Sequence, residues 1–272
     1  MPLTTRPPRT RVQQMRREGL ETSNYPVLGY STNVLNYHTA DFGKRLFGIE
    51  LEVASDKQID NLAKKVYDII KSDAILKDDG SIGTTERNAD GTYKTWSGFE
   101  IVTRPMTYEN QVAFWRTALP KLAKLVRSYE PESCGLHIHF SKRSVSALTL
   151  GKLLVFLNDP SNKSFIKNRI AKRYNTRWAK TKTVKLGKNI LQSRDRYEML
   201  NVTPAMTNEF RLFRGSTGKR FFASLEFASA TIEFCEENSI RDITLPCFFA
   251  WLDKLPAKKF PELRRRVACE MR

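Results

Sequence analysis

The amino-acid sequence predicts an α+β fold in which helices cover one side of a mainly antiparallel sheet. Two observations lead to this expectation. Segments of strict apolar–polar alternation recur along the chain, and one or two segments with helical periodicity separate them. The chain has 272 residues, of which 40% are hydrophobic, and this is enough for one large domain with appendages.

The first half of the predicted domain contains two strands and two helices. Residues 47–53, FGIELEV, alternate strictly and predict a strand, and apolar residues at helical spacing follow from Ile59 to Ile70. A turn-rich stretch then leads to the predicted strand GFEIVTRP, which Pro105 ends. Residues 108–129 have the periodicity of a second helix.

The second half continues with the same kinds of segment. The sequence GLHIHFS at 135–141 predicts a strand, and a helix is expected from Val145 to Leu157. TNEFRLFRGS at 207–216 predicts another strand. Two helices, at about 218–237 and 240–253, are expected to complete the domain.

Three regions of different composition divide the chain. Residues 1–45 predict an extended basic arm, residues 46–255 a globular domain, and residues 256–272 a basic tail. No segment approaches the roughly 18 consecutive apolar residues that span a bilayer, and the beginning of the chain lacks the apolar core of a secretory signal. We therefore expect no membrane partner and a cytoplasmic location.

The balance of charges favours an anionic partner. Lys and Arg number 46 against 29 Asp and Glu, which gives a formal net charge of +17. Such a balance is typical of proteins that bind nucleic acids, nucleotides or acidic peptides. The 4 cysteines lie far apart and include no CxxC pair, so we expect reduced, mostly buried thiols rather than a zinc site.

Each of the predicted strands named above has a polar face opposite its apolar face. If these strands pair in one sheet, their polar faces form a single surface of carboxylate, imidazole and guanidinium groups, which we call the polar bed. Its members are Glu50, Glu52, Glu100, His137, His139, Glu209 and Arg211.

The composition of the polar bed predicts a metal site. Carboxylates that lie close together repel one another strongly unless a cation lies among them. Carboxylate oxygens with an imidazole suit Mg²⁺ or Mn²⁺ better than Zn²⁺, and perturbed carboxylate clusters often mark functional sites. The alternative is an ordinary solvated face, which an ExE or HxH pattern on a single strand usually indicates.

A series of short motifs resembles, in order, those of the phage and bacterial amidoligase-like proteins. These motifs are GIELEV, DGSI with SGFEIVTRP, GLHIHFS, RYEMLNVTP and NEFRLFRGS, and they span about residues 46–240. The family belongs to the carboxylate–amine ligase superfamily, together with glutamine synthetase and glutamate–cysteine ligase. The resemblance implies a glutamine-synthetase-like catalytic core, in which a curved antiparallel sheet binds ATP and Mg²⁺ or Mn²⁺ on its concave face.

The resemblance also implies a reaction. The γ-phosphate of ATP passes to a substrate carboxylate, and an amine then displaces phosphate to leave an amide. The implied substrates are a small-molecule or peptide carboxylate and an amine. The positions that match the metal ligands of the family are Glu50, Glu52, Glu100, His137 and Glu209.

Several matched positions would lie beside the nucleotide phosphates. His137 resembles the imidazole near the metal and the phosphates, and His139 is expected to support it. Arg211 resembles a catalytic arginine on the phosphate side, and Arg214 is a further candidate for the phosphoryl oxygens.

Two other stretches would shape the substrate and nucleotide pockets. The DGS turn resembles a substrate-side loop, so Asp79 is a candidate amine-orienting base and Ser81 a candidate contact. Arg196 lies in the stretch that resembles RY…N of the family, with Tyr197 and Asn201, and is expected at the nucleotide pocket. Core packing is an equally good interpretation of Tyr197.

Lys and Arg recur from Lys163 to Arg194 with no acidic residue among them. The first part predicts a helix that buries Phe165, Ile166 and Ile170. Residues 163–194 and the N-terminal arm together predict contact with nucleic acid or a virion partner, although such runs are also typical of a solvated face.

Three hypotheses for the function follow. The first is an ATP-dependent amide-forming ligase, and the second is a virion or assembly protein with an amidoligase-like fold. The third is a metal-dependent hydrolase or nuclease that uses the same polar bed. The corresponding location is the cytoplasm of a bacterial or phage-infected cell, or the virion itself.

Overall fold

A mixed sheet organises the protein. The computed structural model describes residues 27–28, 43–56, 59–83, 85–87, 90–182, 191 and 195–270. The strands of the sheet are β1 (Val27–Leu28), β2 (Phe47–Ser55), β3 (Ala74–Lys77), β6 (Ser97–Thr103), β7 (Gly135–Ser141), β8 (Leu200–Asn201) and β9 (Thr207–Arg214). They lie in the order β1-β3-β6-β2-β7-β9-β8, with β2 at the centre.

All pairings in this sheet are antiparallel except that of β1 with β3, which is parallel. A separate hairpin is formed by β4 (Thr85–Arg87) and β5 (Tyr93–Thr95). The predicted α+β fold with a mainly antiparallel sheet is therefore confirmed.

Helices cover the apolar face of the sheet. The α-helices are α1 (Ile59–Ile70), α2 (Tyr108–Leu122), α3 (Ala147–Asn158), α4 (Lys163–Phe165), α5 (Lys219–Glu237), α6 (Leu245–Lys254) and α7 (Pro261–Ala268). A π-helical segment, Ile166–Ala171, continues α4 directly. Short 3₁₀ turns lie at Lys71–Asp73, Lys142–Ser144, Pro160–Asn162 and Ile240–Asp242.

One hydrophobic core joins these helices to the sheet. The alternate residues Ile49, Leu51 and Val53 of β2 are fully buried, as the period of two requires. On the same side, Phe213 of β9 packs edge-on against Phe227 of α5, with 6.3 Å between ring centroids. Burying one such side chain contributes roughly 1.5–3 kcal/mol to folding, so this shared core fixes which face of each strand stays polar.

Most of the predicted elements are confirmed, and α2 differs at its C-terminal end. The helix was expected to continue to residue 129, but it ends at Leu122. Pro120 lies in its last turn and has no N–H group to donate. The chain then turns so that Arg127 exchanges backbone hydrogen bonds of 2.7 and 2.8 Å with Ala54 at the end of β2.

The segment expected as a basic C-terminal tail contains a packed helix. Leu263 and Val267 of α7 are buried in the core because they lie on one side of the helix, while Arg265 is exposed on another side. The Glu226 carboxylate of α5 accepts a hydrogen bond of 2.7 Å from the Leu263 N–H group. A carboxylate at this place satisfies an N–H group that a helix leaves unpaired in its first turn.

We expect the buried Glu226 carboxyl group to make the stability of the protein depend on pH. Burial raises the pKa of the Glu226 carboxyl from 4.5 to about 7, although backbone N–H groups oppose the shift. The folded protein therefore holds a proton that the unfolded chain has already lost, and the free energy of unfolding should fall as the pH rises from about 4.5 to 7. In the Glu226→Gln variant, the free energy of unfolding should fall by about 3 kcal/mol less over the same pH range.

Urea unfolding of the wild-type protein and Glu226→Gln at pH 5 and pH 8 would measure the difference. Glu109→Gln, at an exposed position in the first turn of α2, is the matched control. Equal pH dependence in the wild-type protein and Glu226→Gln would contradict the expectation.

Little of the predicted N-terminal arm is described. Val27 is buried, and Val27–Leu28 adds the parallel edge strand of the sheet, whereas residues 1–26 and 29–42 lie outside the described residues. Within the described part of the chain, no helix has both the length and the apolar composition needed to cross a membrane. The cysteines are free thiols, and Cys134 and Cys235 are buried, as expected, while Cys269 is exposed.

Candidate metal centre

Pairing of the strands places the whole polar bed on one face of the sheet. Glu50 of β2 lies opposite His137 of β7, and Glu52 lies opposite Glu100 of β6. His139 lies opposite Glu209 of β9. Because side chains alternate along every strand, these register pairs put the carboxylates and both imidazoles on the face away from the core.

The imidazoles lie between carboxylates from different strands. His137 Nδ1 is 3.3 Å from Glu50 Oε2 and 3.5 Å from Glu209 Oε1. His139 Nε2 is 3.4 Å from Glu50 Oε1. Glu209 is itself held in place, since its Oε2 accepts a hydrogen bond of 2.8 Å from Asn201 Nδ2 and its Oε1 accepts one from Arg211.

Two groups of ligand atoms are close enough to surround a cation. Among the described residues, the first group is Glu50, His139 and Glu209, and the second is Glu52, Asp79 and Glu100. Within each group, one ligand atom per residue lies within 4.8 Å of the others. Asp79, expected as an amine-orienting base, thus has its carboxylate beside those of Glu52 and Glu100.

The electrostatics of the polar bed are those of crowded, buried acids. Burial, with the Glu50 and Asp79 carboxylates nearby, raises the pKa of Glu100 to about 10. Burial alone would raise the pKa of Glu50, but His139 and His137 hold it well below its ordinary value. Burial would lower the pKa of His139, yet the Glu50 carboxylate outweighs this effect and raises it to about 9.

Four atoms of the polar bed are buried without a hydrogen-bond partner, namely Glu100 Oε2, His137 Nε2, His139 Nε2 and Arg211 Nε. Glu100 and His137 are the most enclosed of these residues, at only 3% and 4% exposed. Buried polar groups in folded proteins are almost always paired. The donor set of carboxylate oxygens with imidazole nitrogens fits Mg²⁺ or Mn²⁺, and a cation would give the carboxylate and imidazole atoms the partner they lack.

A cavity of about 390 Å³ opens over the polar bed and is lined by both acidic and basic side chains. Glu50, Glu52 and Glu100 line one part, and Asp79 and Ser81 line it from the loop after β3. Basic and aromatic side chains also line the cavity, namely Arg173, Arg196, Arg211, Trp178 and Tyr197.

The Tyr197 ring lies against two of the arginines that line the cavity. The Arg196 and Arg211 guanidinium carbons lie 5.0 and 5.7 Å from the centroid of the Tyr197 ring. The edge of this ring packs against Trp178, with 6.2 Å between centroids. Tyr197 is therefore a support for two arginines, which is a different role from core packing.

Arg214 differs from the expectation for a phosphate contact. Its guanidinium donates hydrogen bonds of 2.7 and 3.2 Å to the carbonyls of Tyr129 and Glu130, and the residue does not line the cavity. Arg214 is the last residue of β9 and lies opposite Gly135, the first residue of β7.

Sequence reasoning did not single out several residues of the cavity as site residues. Asp78 and Ser133 are buried at its wall, and Arg173 crosses the end of β7. Asp78 had a signal, since it precedes Asp79 in the DDGS turn. Arg173 had none that would separate it from the other basic residues of the run at 163–194.

The described part of this basic run is divided between exposed and paired side chains. Phe165, Ile166 and Ile170 are buried, as predicted. Lys163, Lys167, Lys172 and Arg177 are exposed, whereas Arg169 and Lys180 form ion pairs of 2.6 and 2.8 Å with Glu270 and Asp195. Contact with nucleic acid or a virion partner stays a prediction.

No family model matches the chain, and the search of curated proteins found no match either.

Proposed function

We propose that this protein is an ATP- and Mg²⁺-dependent ligase that joins a carboxylate to an amine through an acyl phosphate. One observation carries the proposal: a single cavity is lined by carboxylates, the His137 imidazole and guanidinium groups, and two groups of possible cation ligands lie in the same polar bed. A polyphosphate bridged to divalent cations matches that arrangement, because the cations pair with the carboxylates and the remaining phosphate charge pairs with arginines.

The two groups of cation ligands and Arg211 would have different roles in this mechanism. Glu50, His139 and Glu209 would hold one cation, and Glu52, Asp79 and Glu100 would hold a second. When bound, Mg²⁺ would neutralise phosphate oxygens so that an anionic carboxylate can approach them. Arg211 would bind the γ-phosphoryl group as it moves from ADP to the substrate carboxylate, since its guanidinium already faces the cavity.

The second half of the reaction forms the amide bond. The amine nitrogen attacks the carbonyl carbon of the acyl phosphate, the carbon–oxygen bond to phosphate breaks, and inorganic phosphate leaves with the proton that the nitrogen loses. Ser81, exposed on the loop that carries Asp79, lies where an incoming substrate could meet it. Because Asp79 groups with Glu52 and Glu100, we assign it to cation binding in preference to proton transfer from the amine.

We also propose a family and a cellular location for this protein. The ordered motifs favour an amidoligase-like protein with a glutamine-synthetase-like core, and the use of ATP favours the cytoplasm of a bacterial or phage-infected cell.

The test is an assay of the purified protein with ATP, Mg²⁺ and a panel of carboxylates and amines. We expect ADP and phosphate in equal amounts, and only when a carboxylate and an amine are both present. Hydroxylamine in place of the amine should yield a hydroxamate, which reports an activated carboxylate. Phosphate release from ATP without any carboxylate would favour the hydrolase hypothesis, and failure to bind ATP with Mg²⁺ would end the ligase proposal.

A further inference from the structure

Arg173 enters the cavity from a segment with unusual backbone geometry. The preceding residues 166–171 form a π-helix, in which Lys172 N–H donates to the Lys167 carbonyl at 3.2 Å. Lys172 and Asn175 then adopt left-handed conformations, with φ of 61° and 52°. Single π-turns occur often at functional sites, and left-handed backbone at a residue other than glycine costs free energy that the surrounding structure must offset.

The guanidinium of Arg173 is anchored as well as buried. The residue is 5% exposed, and Nη2 donates hydrogen bonds of 2.6 and 3.0 Å to the carbonyls of Ser133 and Glu132. The same Nη2 atom lies 3.8 Å from Oε2 of Glu52. Arg173 therefore connects the loop before β7 to Glu52, a member of the polar bed.

Glu52 is held by one of its oxygens only. Its Oε2 faces Arg173 and accepts a hydrogen bond from the Gly135 N–H group. Its Oε1 is on the other side, 3.7 Å from His137 Nε2. The carboxylate is thus oriented with one oxygen fixed by the protein and the other directed into the polar bed.

Gly135 makes room for this arrangement. A Cβ atom at this position would lie 2.2 Å from Nη1 of Arg173 and 3.2 Å from Oε2 of Glu52. Any side chain there would displace the guanidinium or the carboxylate. The sequence therefore keeps the end of β7 free of side-chain atoms where Arg173 crosses it.

We propose that Arg173 is a positioning residue for Glu52, and that it fixes this carboxylate for the cation group formed with Asp79 and Glu100. The inference rests on the proposed cation binding but concerns only one of the two groups. Partners that orient a metal-binding carboxylate in this way typically change metal affinity by about 10–100-fold when they are replaced. Lysine would keep the charge, but it is shorter and has no guanidinium plane, so its nitrogen would not take the place of Nη2 between Ser133, Glu132 and Glu52.

The test is titration of the whole protein with Mn²⁺, without nucleotide, followed by calorimetry and by electron paramagnetic resonance. The wild-type protein should bind two ions. Arg173→Lys should bind one ion with unchanged affinity, at the group of Glu50, His139 and Glu209, and the other about 10–100-fold more weakly. Arg177→Lys, at an exposed position on the same segment, is the matched control and should bind both ions as the wild-type protein does.

The retained ion shows that a variant is folded. If Arg173→Lys binds no ion, Gly135→Ala supplies the second reading, because it displaces the guanidinium while keeping Arg173, and the same selective weakening is expected. Two ions bound to Arg173→Lys with wild-type affinities, with or without a lower melting temperature, would overturn the positioning role alone. Loss of both ions in both variants would also overturn it, and absence of Mn²⁺ binding by the wild-type protein would overturn the proposed function itself.

Discussion

Replacing Glu50 with glutamine should lower amide formation by roughly a hundredfold or more, the scale expected when stabilisation of charge at the reacting phosphate is lost. Glu50 lies within 3.4 Å of both imidazoles and belongs to the first cation group. An amide keeps the shape of the side chain but removes the charge that a cation needs. The variant should therefore also lose one of the two Mn²⁺ ions, with the other unchanged.

The measurement is phosphate release and Mn²⁺ stoichiometry on the same preparations. Glu130→Gln is the matched control, since Glu130 is an exposed glutamate whose side chain lies outside the cavity. Wild-type rates in Glu50→Gln would remove the first cation group from the mechanism.

Arg211→Lys should lower the rate of amide formation and leave the binding of Mn²⁺ unchanged. Lysine keeps a positive charge, but it lacks the fork that can contact two phosphoryl oxygens and the planar face that lies over Tyr197. We expect kcat to fall by roughly a hundredfold while two Mn²⁺ ions still bind, because Asn201 continues to hold Glu209. Single-turnover measurement of phosphoryl transfer would separate this loss from slower substrate binding.

The Tyr197 ring provides a further check on Arg211. Tyr197→Phe keeps the aromatic face and should stay near the wild-type rate, whereas Tyr197→Leu removes it and should lose part of the rate that Arg211→Lys loses. If Arg211→Lys binds fewer than two ions, the arginine acts mainly by holding Glu209, and its assignment to the phosphoryl group is wrong.

The polar bed could be predicted from sequence because it depends on strand periodicity. Alternation fixes that Glu50 and Glu52 share a face, and the buried partners of these residues fix which face turns away from the core. The four strands had to share a core, so their polar residues had to meet. Burial also excludes a one-residue slip between β2 and β7, because a slip would turn polar side chains into the core. It does not choose among registers that differ by two residues, and the structure has Glu50 opposite His137.

The residues that could not be predicted come from irregular segments. Arg173 and Trp178 reach the cavity through turns with no period, so no spacing relates them to the strands. Arg214 was expected at the phosphates, and nothing in its spacing shows that its guanidinium is taken up by the carbonyls of Tyr129 and Glu130. The C-terminal helix was missed because its arginines dominate its composition, although Leu263 and Val267 have helical spacing.

The π-helix decides how the cavity responds to a change in the length of the chain. A π-turn holds about one residue more than an α-turn, so deleting one residue between 166 and 171 would let the segment wind as an ordinary helix. The residues that follow, including Arg173, would then keep nearly the same direction. An insertion at the same place cannot be absorbed in this way, and because each residue of a helix turns the next side chain by about 100°, it would swing Arg173 away from Glu52.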